Sequence, residues 1–224
     1  MPELHVDTQI IGRNTEEVAE LLRPQGVALV GVTKGCLGEP AVGAAMLAGG
    51  AVALADTRDR NLRRLRAALP GVELQRIYLP PVRSPFEPGD ITYVSSAEGA
   101  AAVAALAAPG GARDVMLSLE TGDLREGVPS EPMDGVIGTA RRVAGDPRLR
   151  LAGIATNYAC FQGTPEGIRD SVEMVAHVAR GLRAAGLQVE RVSGGNSSLL
   201  ALVLGGESLP LEVSEIRCGE ALLL

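Results

Sequence analysis

The chain has 224 residues with a formal net charge of -6 at pH 7; 46% of the residues are hydrophobic and 2% are aromatic. These values are ordinary for a globular protein and exclude a disordered or collagen-like chain. The negative charge and the few aromatic rings argue against nucleic-acid binding, which uses Lys and Arg to hold phosphates and rings to stack on bases. Three Cys residues are too few for a disulfide framework, and no signal peptide or apolar run of roughly 18 residues is present. We therefore expect a soluble cytoplasmic protein with no membrane partner.

Short runs rich in Val, Ile and Leu alternate along the chain with segments of helical spacing, which is typical of parallel strands joined by crossover helices. After a helix predicted at about 13–23, strands are predicted at about 27–33, 51–55, 73–79, 91–95, 113–119, 149–155, 188–193 and 212–217. Eight such steps favour an α/β fold of the closed (β/α)8 TIM-barrel type over an open sheet. Because no flexible linker or repeat divides the chain, one barrel domain is expected over residues 1–224.

Three of the predicted helices have clear signals. One opens at Thr57 and has a buried stripe of Leu62, Leu65 and Leu69, a second is alanine-rich and covers about 97–108, and the longest covers about 165–185. The connection over 80–89 contains four prolines and cannot be a regular helix. We expect the wall of the barrel to be thin at that point.

Polar residues at the ends of the predicted strands are the candidate site, because the active sites of barrel enzymes lie where strands end and βα loops begin. The first strand ends in Thr33-Lys34-Gly35-Cys36, which places an amine at the mouth of the barrel. A desolvated lysine amine can form a Schiff base with a carbonyl compound. The plainer alternative is a solvated lysine at the start of a loop.

Two loops near the C-terminus suit an anion. Predicted strand seven ends in the segment 193–198, Ser-Gly-Gly-Asn-Ser-Ser, whose glycines, hydroxyls and helix start favour phosphate, although a simple N-cap turn has the same composition. Strand eight leads into Arg217-Cys218-Gly219-Glu220. Since barrels often bind phosphate between these two loops, both are expected to face one ligand.

Two further strand ends carry polar groups. Strand five leads into the segment 120–127, where Arg125 is suited to neutralise a carboxylate or a ring oxygen, unless it belongs to a surface salt-bridge turn. Strand six leads into 155–160, where Thr156, Asn157, Tyr158 and Cys160 offer hydroxyl, amide and thiol groups or simply satisfy the loop backbone. No metal cluster, P-loop or G-x-S-x-G elbow occurs, so the sequence favours neither nucleotide hydrolysis nor serine-hydrolase chemistry.

A strand-one lysine, a Gly-Gly-Asn-Ser turn and an Arg-x-Gly segment together resemble the pyridoxal-phosphate (PLP) barrel of the alanine racemase family, fold type III. The sequence is most similar to the ornithine racemase-like branch. The blocks that carry this resemblance are Gly31-Val-Thr-Lys34, Ala55-Asp-Thr-Arg58-x-x-Asn61-Leu, Gly122-Asp-Leu-Arg-Glu-Gly127, Thr156-Asn157, Ser193-Gly-Gly-Asn-Ser-Ser198 and Arg217-x-Gly-Glu-Ala-Leu222.

The resemblance implies a role for each matching residue. Lys34 would hold pyridoxal 5'-phosphate as a Schiff base and act as the Cα acid/base on one face of an amino-acid substrate. Arg217 would face the pyridine nitrogen and keep it unprotonated, which favours brief proton exchange, and Arg125 would lie near the ring oxygen. The cofactor's phosphate would be bound by Ser197 and the backbone of Gly219 and Glu220. The cofactor-binding residues implied in addition are Thr156, Asn157 and Asn196.

The sequence departs from the family pattern at its end. Two-domain racemases continue into a β-rich domain that supplies a tyrosine as the second acid/base, whereas this chain ends at Leu224. We consider Cys36, Tyr158 and Cys160 as replacements. Cys36 would share the mouth with Lys34 if the first strand extended that far.

Three functions remain open beside the racemase. The first is a carrier that binds PLP without turnover, and the second is a barrel fragment of a two-domain racemase. The third is a Schiff-base aldolase that uses Lys34 directly on a sugar phosphate. The resemblance implies homodimers for the racemases and monomers for the carriers, so a homodimer is one of two expected states.

Overall fold

The computed structural model describes residues 5–77, 86–158 and 163–224. Within these residues the strands are β1 (Ala28–Val32), β2 (Ala53–Asp56), β3 (Leu74–Arg76), β4 (Ile91–Val94), β5 (Arg113–Glu120), β6 (Val128–Pro129), β7 (Leu149–Thr156), β8 (Arg191–Ser193) and β9 (Glu215–Cys218). The α-helices are α1 (Thr8–Leu22), α2 (Pro40–Ala48), α3 (Asp59–Ala68), α4 (Ala97–Ala104), α5 (Met133–Ala144), α6 (Pro165–Ala184), α7 (Leu200–Leu204) and α8 (Glu220–Leu223).

Eight of these strands form a closed parallel barrel. Neighbours pair in the order β1-β2-β3-β4-β5-β7-β8-β9, and β9 pairs with β1 to close the ring. The short strand β6 adds to the end of β5 outside the ring. The (β/α)8 barrel expected from the sequence is confirmed, and all carboxyl ends of its strands lie on one rim.

The core has two layers because side chains alternate across each strand. Outward-facing residues such as Leu29 and Leu54 pack with the helices in the main hydrophobic cluster. The apolar side chains inside the barrel form two clusters that share contact with Ile77: Val30, Val32, Ala53 and Ala55, and Ile91, Tyr93, Met116, Ala152 and Ala155. The low aromatic content therefore suits a narrow interior packed mainly with Ala and Val.

The predicted helices occur at the expected places in the chain, but their ends differ from the predicted bounds. The first helix begins earlier than predicted, at Thr8, because the Asp7 carboxylate caps it by accepting bonds from two backbone N–H groups. Leu62 and Leu65 are buried on α3 as the stripe predicted, while Leu69 follows the helix as its C-cap. The alanine-rich helix is α4 and ends at Ala104.

One element differs from the predicted order, and part of another prediction lies outside the described residues. Strand β6 was not expected; it forms because the chain loops round after β5 and then runs parallel to the end of that strand. The last part of the predicted strand at 73–79 and most of the proline-rich connection lie outside the described residues, and 86–90 contain no helix or strand. Within the part of the chain that the structure describes, no helix is both long and apolar enough to cross a membrane.

Candidate active site at the mouth of the barrel

A cavity of about 430 Å³ opens at the carboxyl ends of the strands. The described lining residues follow strands β1, β2, β3, β5 and β7 or lie within β9: Lys34, Thr57, Ile77, Arg125, Glu126, Asn157 and Arg217. Below it, Ile77 contacts both interior clusters, so the packed inside of the barrel forms its floor. The lining that the structure describes thus combines three cationic side chains, one carboxylate and one amide above an apolar base.

Lys34 lies in a one-turn 3-10 helix, Lys34–Cys36, directly after β1 and is exposed. Thr33, the residue before Lys34, is anchored by its side chain, because its hydroxyl donates to the Asp56 carboxylate at 2.7 Å. Asp56 is fully buried and also accepts from the Asn61 amide at 2.9 Å and from the Thr57 backbone N–H at 2.7 Å. The Asp-Thr-Arg-x-x-Asn block therefore braces the turn that carries the lysine, a role that sequence reasoning did not assign to it.

Arg217, in β9, carries a buried guanidinium to the cavity. It donates to the Ser193 hydroxyl at 2.5 Å and to the Thr156 carbonyl oxygen at 2.7 Å. Its guanidinium carbon lies 4.9 Å from the centre of the Tyr93 ring, a cation–π contact from inside the barrel. Contacts from β4, β7 and β8 thus fix the direction of this permanent positive charge.

The turn after β5 presents Arg125 and Glu126 to the cavity. The Glu120 carboxylate holds the turn by accepting from the backbone N–H groups of Gly122 and Arg125. Gly127 closes it with a φ of +119°, and a Cβ there would lie 2.4 Å from the Glu120 nitrogen, so only glycine fits. Arg125 pairs with Asp123 at 3.2 Å at the rim.

Glu126 is a cavity residue that sequence reasoning missed. Its carboxyl is half-buried, and burial raises its pKa against the lowering effect of Arg125, Arg217 and Lys34. The sequence signal was its place between Arg125 and Gly127 in one of the family blocks. Only the geometry of the turn shows that the side chain lines the cavity.

Amide side chains connect three loops around the rim. Asn157 lines the cavity, donates to Asp123 at 3.4 Å and accepts from the Asn196 amide at 3.0 Å. Asn196 also donates to the Tyr158 carbonyl and accepts from the Ser198 backbone N–H, which caps the short helix Ser197–Leu199. Asn157 and Asn196 therefore join the loops after β5, β7 and β8.

The two loops expected to face an anion lie together. The Arg217 backbone N–H donates to the Gly195 carbonyl at 3.0 Å, and the Ser197 hydroxyl accepts from the Ala221 backbone N–H at 3.3 Å. Ser197 is therefore beside the segment that contains Gly219 and Glu220. Ser197, Gly219 and Glu220 are not among the residues that line the cavity. They lie beside it because Arg217, which does line it, is in the same segment as Gly219 and Glu220 and bonds the loop that contains Ser197.

The other sequence candidates lie away from the cavity lining. Cys36 does not extend β1, which ends at Val32; its thiol contacts the Thr33 carbonyl oxygen at 3.2 Å, and the side chain packs against the main core. Burial raises the pKa of this thiol. Tyr158 also packs against the main core, with its ring between Gly122 and Gly167.

Thr156 reaches the site through its backbone only. Its side chain bonds the hydroxyls of Thr121 and Ser171, while its carbonyl oxygen binds Arg217. Cys160 lies outside the described residues.

Comparison with known proteins identifies similar sequences and folds. The family described as alanine racemase, N-terminal domain, matches residues 6–224. A lysine racemase from Thermotoga maritima is 30% identical over 230 residues, a match that covers 100% of this chain and 62% of that protein. The chain therefore spans less than two thirds of the length of this relative.

Solved structures with low identity share the fold. D-threo-3-hydroxyaspartate dehydratase from Delftia sp. HT23 superposes with a TM-score of 0.77 at 23% identity, over 97% of this chain and 59% of that one. An alanine racemase from Corynebacterium glutamicum superposes with a TM-score of 0.76 at 20% identity, over 97% of this chain and 61% of that one. At these identities the likeness concerns the barrel alone.

Proposed function

Because the chain belongs to the alanine racemase N-terminal domain family, we propose that it is the pyridoxal-phosphate barrel of an amino-acid racemase. The observation that carries this proposal is the meeting of Lys34, Arg125 and Arg217 in one cavity at the carboxyl ends of the strands. The racemase name of the Thermotoga maritima relative supports the reaction class. The choice of amino acid is left open.

The chemistry of the cavity fits the cofactor. A phosphate, a ring oxygen and the carboxylate of an amino acid are all anionic, and the cavity and its rim offer two guanidinium groups and one amine. The volume of about 430 Å³ is within the usual range for small-molecule sites. Among the described lining residues, three cations and the Glu126 carboxylate give a positive balance in a chain whose net charge is -6.

Lys34 is the residue that we assign to covalent attachment. It is the only lysine in the sequence, since 20 of the 21 basic residues are arginines. Arginine supplies positive charge but has no nucleophilic amine at neutral pH, so the one lysine stands where amine chemistry is required. The brace from Asp56 through Thr33 would keep its turn in place.

The remaining groups of the cavity and its rim would orient the cofactor and adjust its electronic properties. Bound pyridoxal phosphate supplies an electron-withdrawing ring that lowers the barrier to removing the Cα proton of an amino acid. Arg217 would face the ring nitrogen, where its fixed charge disfavours protonation of that nitrogen. We propose that Arg125 neutralises the ring oxygen, that Asn157 and Asn196 order the rim, and that Ser197 with the Gly219–Glu220 backbone holds the phosphate. The Lys34 amine would then move the Cα proton on one face.

Borohydride trapping tests the attachment. The protein loaded with pyridoxal phosphate is reduced and digested, and we expect one phosphopyridoxyl adduct on the peptide that contains Lys34. Lys34→Arg keeps the charge and is the matched control; it should lose both the adduct and the cofactor's visible absorption band. An adduct on the N-terminal amine alone would contradict the proposal.

Turnover is tested by proton NMR in deuterated water with a panel of L- and D-amino acids. We expect Cα exchange with loss of chirality for at least one substrate and none in Lys34→Ala. Trapped cofactor with no exchange for any amino acid would contradict the racemase and favour a carrier.

A further inference from the structure

We propose that Tyr93 is a positioning residue for Arg217: its ring face holds the guanidinium where a carboxylate could otherwise pair with it, so that the positive charge stays available to a ligand. This inference rests on the proposed pyridoxal-phosphate site and adds a residue that lies beneath that site. Tyr93 is not among the described residues that line the cavity, and no sequence motif singled it out.

The contact between the two residues crosses the barrel. Tyr93 is in β4 and Arg217 is in β9, and in the closed ring these strands are four places apart in either direction. The buried Tyr93 ring nevertheless lies 4.9 Å from the Arg217 guanidinium carbon. Because both residues are in barrel strands and not in loops, the closed ring itself sets their separation.

The hydrogen-bond partners of Arg217 are neutral. Its guanidinium donates to the Ser193 hydroxyl and the Thr156 carbonyl oxygen, and it forms no salt bridge with a carboxylate in residues 5–77, 86–158 or 163–224. Arg76 is also buried, yet it pairs with Asp59. A guanidinium keeps its charge when buried, so the charge of Arg217 is left uncompensated by a direct ion pair.

The Tyr93 hydroxyl is anchored on the side away from the cavity. It lies 2.8 Å from the Gln75 side-chain oxygen and 3.1 Å from the Glu215 carboxylate, which also accepts from Arg191. Burial, with the Glu215 carboxylate, raises the pKa of Tyr93, so its ring is neutral at neutral pH. A phenol hydroxyl that donates to such an acceptor is polarised, which makes the ring face more negative.

Glu215 therefore acts on Arg217 through the ring. The two residues are two positions apart on β9, so both side chains face the inside of the barrel. With Tyr93 between them, the carboxylate strengthens the ring face that the guanidinium contacts but does not pair with the guanidinium itself.

A competing carboxylate lies on the other side of Arg217. Glu126 lines the same cavity, and the charge of Arg217 lowers its pKa against the larger effect of burial, so the two groups attract each other. An Arg217 side chain released from the ring would be drawn towards Glu126, which would compensate its charge. The contact with Tyr93 thus keeps the cation in place before a ligand arrives, which lowers the cost of binding.

A series of fluorinated rings at position 93 tests the contact. Tyr93→Phe is made with ordinary phenylalanine and with its mono-, di- and trifluorinated forms, because each fluorine weakens the negative ring face at nearly constant size. The ligand is 4-deoxypyridoxine 5'-phosphate, which has the cofactor's ring and phosphate but no aldehyde to react with Lys34. We expect its affinity, measured by calorimetry, to fall stepwise by about tenfold across the series.

The chain offers a matched control for this series. Phe86 lies over the Arg76 guanidinium at 5.2 Å, and Arg76 is not among the described residues that line the cavity. The same fluorinated rings at position 86 should leave the affinity for the ligand unchanged. A purely structural role of Tyr93 would make its series flat as well, since the size of the ring is kept.

A second readout needs neither ligand nor turnover. The Nε–H signal of Arg217 is observed by NMR in the cofactor-free protein and assigned by its absence from Arg217→Lys. We expect a rigid side chain with a ring-current shift in the wild type and in Tyr93→Phe, and a mobile side chain without that shift in Tyr93→Leu.

A flat affinity series at position 93, an equal loss in the series at position 86, or an Arg217 signal that is the same in Tyr93→Leu as in the wild type would each overturn the inference. Failure of the wild-type protein to bind the ligand would instead defeat the proposed cofactor site, while the Arg217 signal in the cofactor-free protein would still decide the role of Tyr93.

Discussion

At the scale of single residues, the positions of the reactive groups depend on buried polar contacts beneath them. The exposed Lys34 turn is anchored by the Thr33 hydroxyl, which reaches a carboxylate at the end of the neighbouring strand. Asp56 is fully buried there and is satisfied by donors from the side chain of Thr33, just after β1, from a side chain of α3 and from two backbone groups. Such a carboxylate stabilises the fold because these donors would have no hydrogen-bond partner without it.

We expect Asp56→Ala to lower the free energy of unfolding by about 3 kcal/mol, because each buried donor left without a partner costs about 1–3 kcal/mol. Urea unfolding measures the change. Asp170→Ala, which removes an exposed aspartate from α6, is the control and should change stability by less than about 0.5 kcal/mol. If both variants unfold at the same urea concentration as the wild type, the brace has no energetic role.

In the loaded protein, Asp56→Asn is expected to weaken cofactor attachment at Lys34 without abolishing it.

At the scale of an element, the turn between β5 and β6 decides which side chains enter the cavity. It carries Arg125 and Glu126, and its shape is fixed by Glu120 at one end and by Gly127 at the other. The glycine adopts a backbone conformation that other residues reach only under strain, and a side chain there would collide with the backbone of β5. The turn is therefore a single unit that positions both groups.

Two glycine substitutions test this element. Gly127→Ala should destabilise the protein by about 1–3 kcal/mol and reduce Cα exchange, because the backbone must move away from Glu120. Gly135→Ala on α5 has open space around the new methyl group and an ordinary helical conformation, so it should stabilise by about 0.5–1 kcal/mol and leave exchange unchanged. Thermal or urea unfolding and the NMR exchange assay measure both effects. Equal behaviour of the two variants would show that the turn tolerates a side chain at 127.

At the scale of the whole molecule, polar groups tie distant strands together inside the barrel. The Tyr93 hydroxyl of β4 lies 2.8 Å from the Gln75 side-chain oxygen on β3 and 3.1 Å from the Glu215 carboxylate on β9. Glu215 also accepts from Arg191 on β8. These contacts cross the closed ring, with Arg217 above the Tyr93 ring on the side of the cavity.

The burial of two ionisable side chains, Cys218 and Tyr93, predicts that the protein is less stable at alkaline pH. Burial raises the pKa of the Cys218 thiol to about 12, and burial together with the Glu215 carboxylate raises the pKa of Tyr93. In the unfolded chain these groups ionise near their ordinary values of about 8.5 and 10. Unfolding then releases protons, so stability is complete below those values and falls as the pH rises from about 9 towards 12.

Urea unfolding measured across that pH range tests the prediction. Tyr93→Phe and Cys218→Ala should each be less stable than the wild type at pH 7 but lose less stability as the pH rises. The exposed Asp170→Ala variant should keep the wild-type slope. Parallel curves for all proteins would contradict the assignment of alkaline sensitivity to these two buried groups.

The amino-acid sequence by itself determined the order of βα units, the closed barrel and the family, because apolar runs and their spacing are local properties of the chain. It also placed Lys34 and Arg217 at the mouth, since each stands at or just past the end of a predicted strand and strand ends share one rim in a parallel barrel. The blocks around both residues carried the resemblance to the alanine racemase family without any knowledge of contacts.

Only the tertiary structure decided which loop side chains enter the cavity. Cys36 and Tyr158 were candidates by position, yet the first lies in a 3-10 turn against the core and the second packs between two glycines. Glu126 became a cavity residue through a turn whose closure depends on Glu120, and the same turn brings β6 parallel to the end of β5. The direction of a loop side chain is set by backbone dihedral angles and by contacts with residues distant in sequence, and neither has a periodic signature in the sequence.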